Sequence, residues 1–381
     1  MPIKKKQHYV PQFYMKRFAD SAGFLDLYLL SESKIIKNVS YRNQCQESYF
    51  YGVDLIWENK LSEMEAQWAS LFSRIDKNEL LSEEDIRQLK LFALFQRQRT
   101  SGEYVYRHKE RFELYKLYAQ AVYKKNGWNC DELTDEYIMK HIDQSLSPSE
   151  MLEFAISIEE VINDLSVQII TFDTDRRLIF SDVPVISINQ FHMPSIGYGC
   201  IGLIILFPLS PTKLALIYDS KMYKSNSSEQ YVVSSVENDV IVVNELQYIS
   251  AEKILLGEGN YFPVLHDKML KARTNSRKEE TVTKLGSDDQ QLWVTGMRMT
   301  YYKCDLSFAH VNHAYKRIPF KCKEGVPRKW EKEWEEKLRL KGKLLSELCR
   351  LRPDLFEGYT CKELRDGCNR FYREMVRYWN S

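Results

Sequence analysis

The chain reads as an α+β protein: a helical N-terminal half packed on a mixed or antiparallel sheet, followed by a basic, mostly helical C-terminal extension. Three observations predict this. Apolar residues recur at helical spacing from Leu61 onward, short β-rich runs extend from Val167 to Val243, and Lys and Arg outnumber Asp and Glu between Lys316 and Ser381. Helices precede the sheet and one follows it, so the order favours α+β over alternating βαβ units. A division near residue 265 gives a domain over 1–265 and an extension over 266–381.

In chain order, Gln7 to Phe18 crowds imidazole, amide, phenol and guanidinium groups between aromatics, with a helix expected near Pro11. Gly23 to Leu30 and Lys34 to Val39 read as two strands around Ser31-Glu32-Ser33, a hairpin. Leu61, Met64, Trp68, Leu71, Phe72 and Ile75 then recur at three and four residues, the spacing of an amphipathic helix. A second helix opens at Ser82, where a hydroxyl cap and three acidic residues meet the positive helix end. Its stripe runs into Gln96-Arg97-Gln98-Arg99, and a long aromatic-rich helix continues from Tyr104 to Lys125 past Gly102. Ser147-Pro148-Ser149-Glu150 opens another, with cap, first-turn proline and reciprocal glutamate.

Val167 to Phe172, Leu178 to Phe180, Val185 to Ile188, Leu203 to Phe207, Leu214 to Tyr218 and Val240 to Val243 are the expected strands. Asn244 to Leu256 reads as the helix that follows them. Ala272 to Asp289 is polar and suits an exposed loop, Trp293 to Lys303 reads as a strand, and Trp330 to Arg350 as a charged helix.

The bulk properties exclude little. With 381 residues the chain can bury a large core, and a net charge of +1 gives no global case for a nucleic-acid partner. Met1-Pro2-Ile3-Lys4-Lys5-Lys6 passes into polar and aromatic residues without the apolar run of a secretory signal. The longest apolar stretch, Cys200 to Leu209, is too short for a bilayer. A cytoplasmic protein without membrane association is expected, its eight scattered cysteines reduced.

Five constellations can carry chemistry. His8, with Gln12 and Arg17 close in sequence, suits proton transfer beside an amide that holds a substrate oxygen and a guanidinium that stabilises negative charge. A buried histidine capping a turn is the plainer reading. Ser181-Asp182 ends a strand before Val183-Pro184, where a carboxylate can act as base or metal ligand, or simply close a turn. Arg97 and Arg99 can clamp phosphate or pair internally with Glu58 or Glu65. Cys304, His310, His313 and Cys322 bring four zinc-type ligands into one segment without paired C-x-x-C knuckles. The C-terminal Arg370, Arg373 and Arg377, interleaved with Phe371, Tyr372, Tyr378 and Trp379, suit either phosphate gripping and base stacking or an amphipathic helix docked on the body.

His8-Tyr9-Val10-Pro11-Gln12, with Phe18 beyond, resembles the start of a bacterial family of unknown function, number 4238 in its series. Phe180-Ser181-Asp182-Val183-Pro184-Val185 is similar to that family's Thr-Ser-Asp-Asn-Pro-Val element, and Phe207-Pro208-Leu209-Ser210-Pro211 to its Pro-Leu-Ser-Pro strand. Asn244 and Ala251 match its closing helix, and Glu65 and Arg97 its helical region. The resemblance covers about residues 6 to 260. Val183 stands where the family often has Asn, and Met15 where Leu is usual. The resemblance implies a role in defence against phage, and it groups His8, Gln12 and Asp182 in one site.

The expectation is an anti-phage effector with nuclease activity on RNA or DNA. In it His8, Gln12, Asp182 and Arg97 are the catalytic set, and Arg17, Arg99, Ser181, Glu65 and Asn244 line the substrate. A non-enzymatic sensor for a phage protein or nucleic acid, and a nucleotide or metabolite hydrolase, are the alternatives. A divalent metal, a phage-encoded trigger and self-association stay open.

Overall fold

The computed structural model describes residues 6–381 apart from 54, 142–147, 192–196, 277–281, 286–291, 296–301, 303, 324 and 357. The chain begins with β1 (Lys6–His8), α1 (Gln12–Lys16), β2 (Phe24–Leu29), β3 (Lys34–Ser40) and β4 (Gln46–Ser48). Helices α2 (Ile56–Asp76), α3 (Glu83–Gln98), α4 (Ser101–Asn126), α5 (Asp135–His141) and α6 (Pro148–Ser157) follow. The sheet region is β5 (Ser166–Phe172), β6 (Phe180–Ser181), β7 (Ile186–Ile188), β8 (Ile204–Ser210), β9 (Lys213–Tyr218), β10 (Tyr223–Lys224) and β11 (Tyr231–Ser234). Next come α7 (Glu237–Ser250), β12 (Ile254–Gly257), α8 (Phe262–Ser276), β13 (Val282–Leu285), β14 (Leu292–Thr295) and β15 (His310–Val311). The chain closes through α9 (His313–Lys316), α10 (Phe320–Lys323), α11 (Lys332–Leu351) and α12 (Cys361–Asn380).

The central element is a five-stranded mixed sheet in the order β11-β5-β9-β8-β7, parallel at β11–β5 and antiparallel elsewhere. Both of its faces are covered, which is why β8 and β9 read as continuous apolar runs instead of alternating. Ile169, Ile205, Phe207, Ala215 and Ile217 face the N-terminal helices through Trp68, Phe72 and Phe92. Their neighbours Ile170, Ile204, Leu206, Leu214 and Leu216 share a second core with Leu338, Leu364, Phe371 and Met375 of α11 and α12. The extension therefore shares a core with the sheet, and residue 265 falls inside α8. Tyr378 seals this side: its hydroxyl lies 3.2 Å from both carboxylate oxygens of Asp219, and Lys221 Nζ donates to its carbonyl at 2.9 Å.

A four-stranded antiparallel sheet, β3-β2-β12-β6, contains the expected hairpin and packs on α7 and α8. Ser82 caps α3 in a capping box closed by Asp85. The expected break near Gly102 falls at Thr100, whose hydroxyl accepts the Glu103 amide and starts α4. Val240-Ile241-Val242-Val243, expected as a strand, lies in α7, because β-branched residues at a site buried all round are compatible with either element. The helix expected over Asn244 to Leu256 stops at Ser250 and gives way to β12. The loop expected from Ala272 contains the end of α8 and strand β13, paired with β14. Among the described residues no helix is long and apolar enough to cross a membrane.

Candidate functional site

The N-terminal motif is built on two short elements. β1 pairs with β4, setting His8 opposite Gln46, and Pro11 then turns the chain into α1. The imidazole Nε2 lies 3.0 Å from the Arg42 carbonyl, so that nitrogen carries the hydrogen and donates it. The amide of Gln12 stands over the ring, its Nε2 3.3 Å from His8 Nε2 and 3.5 Å from Nδ1. Burial lowers the His8 pKa below the ordinary 6.5, outweighing the raising effect of the Arg42 carbonyl and of Glu65. The ring is thus neutral at pH 7, and the electron pair on Nδ1 faces the Gln12 amide at 3.5 Å.

Arg99 lies beneath this motif, almost wholly buried at the C-terminal end of α3. Its Nε donates to Gln96 Oε1 at 2.9 Å and its Nη1 to Glu65 Oε1 at 2.8 Å. Gln96 in turn donates to the Tyr9 carbonyl at 3.0 Å. Tyr51 stands beside the guanidinium and donates its hydroxyl to the His8 carbonyl at 3.1 Å. Gln7 fixes Tyr51 by accepting its amide at 2.6 Å and donating to Gly52. The Arg99 Nη2 is buried with no hydrogen-bond acceptor among the described residues. The Glu65 side chain retains 26% exposure, so the cluster opens to solvent along His8, Gln12 and Glu65.

The other residues singled out in the sequence go elsewhere. Asp182 accepts the amides of Glu252 and Lys253, each at 2.8 Å, closing the loop between α7 and β12. Burial raises its pKa to about 6 against the lowering effect of the Lys253 amide and the Arg273 charge. Ser181 and Asn244 belong to the same clamp: Gln247 Oε1 accepts the Ser181 amide and hydroxyl, and Asn244 bridges the Ile179 amide and the Arg177 carbonyl. Arg97 donates to the Val185 carbonyl at 3.0 Å and faces Glu103 at 3.6 Å. Arg17 forks onto Asp76 at 2.9 and 2.7 Å and donates to the Leu209 carbonyl, tying α2 to β8. Of the nine residues, His8, Gln12, Glu65 and Arg99 come together. Asp182, Ser181 and Asn244 form a separate joint, and Arg97 and Arg17 serve two others.

Among the described residues no group of three or more His, Cys, Asp or Glu is arranged to hold a metal ion. Cys322 instead donates to the Leu364 carbonyl at 3.3 Å, while His310 pairs with Lys224 in the β10–β15 ribbon. The α12 arginines lie on its outer face, where Arg377 meets Glu374 at 3.3 Å and Arg370 donates to the Arg317 carbonyl at 3.0 Å. A surface groove of about 250 Å³ is lined by Asp175, Arg176, Arg177, Glu237, Glu258 and Tyr261, and by none of the His8 cluster. Tyr51 and Gln96 were not legible as site residues, and Gln7 lay in the N-terminal motif without a role of its own. Only the density of amides and guanidiniums in Gln96-Arg97-Gln98-Arg99 hinted at a buried polar layer.

This is an α+β chain whose N-terminal polar motif is anchored on a buried guanidinium. It belongs to the family described as "Protein of unknown function (DUF4238)", whose profile matches residues 6–258. No curated protein and no solved structure matches the chain.

Proposed function

We propose that the chain is an anti-phage effector that cleaves phosphoester bonds in RNA, with the His8 cluster as its site. The observation that carries this reading is the opening formed by His8, Gln12 and Glu65 above the buried Arg99 guanidinium. Such chemistry needs a base that is neutral at working pH, and burial keeps the His8 imidazole in that form. His8 Nδ1 accepts the proton of the ribose 2′-hydroxyl as that oxygen attacks the adjacent phosphorus; the bond from phosphorus to the 5′-oxygen breaks, leaving a 2′,3′-cyclic phosphate, and the departing 5′-oxygen takes a proton from water. Gln12 orients a phosphoryl oxygen through its amide, and the Arg99 guanidinium, buried beneath the site, favours the growing negative charge through its field and not by contact. Glu65 holds the guanidinium in plane. Asp182 has no part in this mechanism, because both of its oxygens are committed to backbone amides.

The test incubates the purified chain, His8→Ala and Gln12→Ala with single-stranded RNA and with DNA of the same sequence. RNA cleavage by the parent and its loss in His8→Ala are expected. Because the folded pKa lies below 6.5, the rate should fall on acidification with a midpoint below that value. No cleavage of either polymer, or full activity in His8→Ala, would overturn the reading.

One observation favours a second reading, a binding module. Arg99 is already neutralised by Glu65, and α12 presents Arg370, Arg373 and Arg377 outward. On that reading His8→Ala leaves phage restriction intact, and reversing the three α12 charges abolishes it.

A further inference from the structure

The β2–β3 hairpin and helices α7 and α8 bring a hydroxyl, an imidazole and a phenol into line. Ser33 is exposed at the hairpin turn, with its Oγ 3.1 Å from His266 Nε2. On the other side of the same ring, His266 Nδ1 lies 2.8 Å from the Tyr248 hydroxyl oxygen. Tyr248 is fully buried and meets the imidazole edge-on at 5.8 Å, while Tyr28 flanks it at 5.4 Å, so the ring is held by two aromatic neighbours. A hydroxyl within reach of a base whose second nitrogen is fixed by a third group is the arrangement that turns serine into a nucleophile.

The scaffold keeps these elements in register. Asp26 of β2 accepts the amides of Asn38 at 3.1 Å and Gly259 at 3.2 Å, tying the hairpin to the turn that enters α8. The Leu30 amide donates to the Lys253 carbonyl at 3.0 Å, which fixes the same hairpin near its tip. Ser33 has a φ of 51°, the left-handed region where glycine is at ease, so its hydroxyl is presented at a cost to stability. On α8, Leu270 lies one turn beyond His266 on the same side and is 50% exposed, an apolar ledge beside the imidazole.

We propose that Ser33 and His266 form an esterase site, with Tyr248 as positioning residue, for phenolic esters of short carboxylic acids. The site shares no residue with the His8 cluster and stands independently of that reading. His266 Nδ1 carries the ring hydrogen and donates it to the Tyr248 oxygen, leaving Nε2 to accept from Ser33. As Ser33 Oγ forms a bond to the ester carbonyl carbon, its proton passes to His266 Nε2; the bond from that carbon to the phenolic oxygen then breaks, and the leaving oxygen takes the proton from His266. Water, giving its proton to the same nitrogen, attacks the acyl-serine, and Ser33 recovers its proton as the free acid departs. Because the triad lies at the surface, where water screens developing charge, it suits a leaving group that departs readily, and Leu270 suits a short apolar acyl group.

The test mixes the full chain with p-nitrophenyl acetate, follows p-nitrophenolate release, and maps the acetylated residue by peptide mass spectrometry. An acetyl group on Ser33 and not on the neighbouring Ser31 is expected. Ser33→Gly, which suits the positive φ, should abolish the adduct without lowering the thermal midpoint. His266→Ala should slow acylation about a hundredfold or more, and added imidazole should restore it, which a structural role would not allow. Tyr248→Phe keeps the ring and removes the oxygen, so it should lower the acylation rate constant by up to about tenfold and leave the KM for the ester unchanged. No acetylation of Ser33, acylation indifferent to His266→Ala, or a His266→Ala chain that imidazole does not rescue would overturn the proposal, and a Tyr248→Phe chain altered in KM alone would remove Tyr248 from it.

Discussion

Arg99 shows how strongly a single residue depends on its partner's identity. Its side chain is fully buried, whereas Glu65 keeps contact with water. Removing the carboxylate strands a cation in the core, while removing the guanidinium leaves an anion that can rehydrate. Glu65→Leu is therefore expected to cost about 3–5 kcal/mol in urea unfolding, and Arg99→Met less. The double change should cost less than the sum of the two, because no unpaired charge is left inside. Equal single effects would indicate that both groups are desolvated alike.

Among the elements, the joint between β6 and α7 is governed by Asp182. Its folded pKa, raised to about 6, lies above the ordinary 3.8, so the folded state holds a proton that the unfolded state has lost between those values. Stability is thus greatest below pH 3.8 as far as this group is concerned, and is lost as pH rises toward 6. Relative to Asp182→Asn, the parent should lose up to about 3 kcal/mol across that interval, and a flat difference in chemical unfolding from pH 4 to 6 would refute it. At this scale the sequence was informative where periodicity was clean. The hairpin, the Ser82 cap and α2 follow directly from spacing and capping residues, and α11 from its density of Lys, Arg and Glu. Val240 to Val243 did not, because a short apolar run buried on every side carries no period to read. The site was half legible: His8 and Gln12 are neighbours in sequence, but their link to Arg99 runs through Tyr51 and Gln96, whose roles exist only in the folded chain. Asp182 carried the residue type of a catalytic carboxylate, and only its two amide donors reveal its commitment to the turn.

Over the whole molecule, the family-matched region and the extension are joined through the second face of the central sheet. Phe371→Ala, on α12, should cost about 3–5 kcal/mol and lower one unfolding transition for the entire chain, read by calorimetry; two separable transitions would show that the parts fold independently. A fragment ending at residue 258 would expose the face formed by Ile170, Leu206, Leu214 and Leu216, and should aggregate. The seal at Tyr378 has a consequence in time. At ~5–20 residues per second, synthesis of this chain occupies about 20–80 s, and Asp219 emerges long before the tyrosine that covers it. Throughout that interval the nascent chain carries a half-clothed sheet, and completion of the core waits on the synthesis of α12.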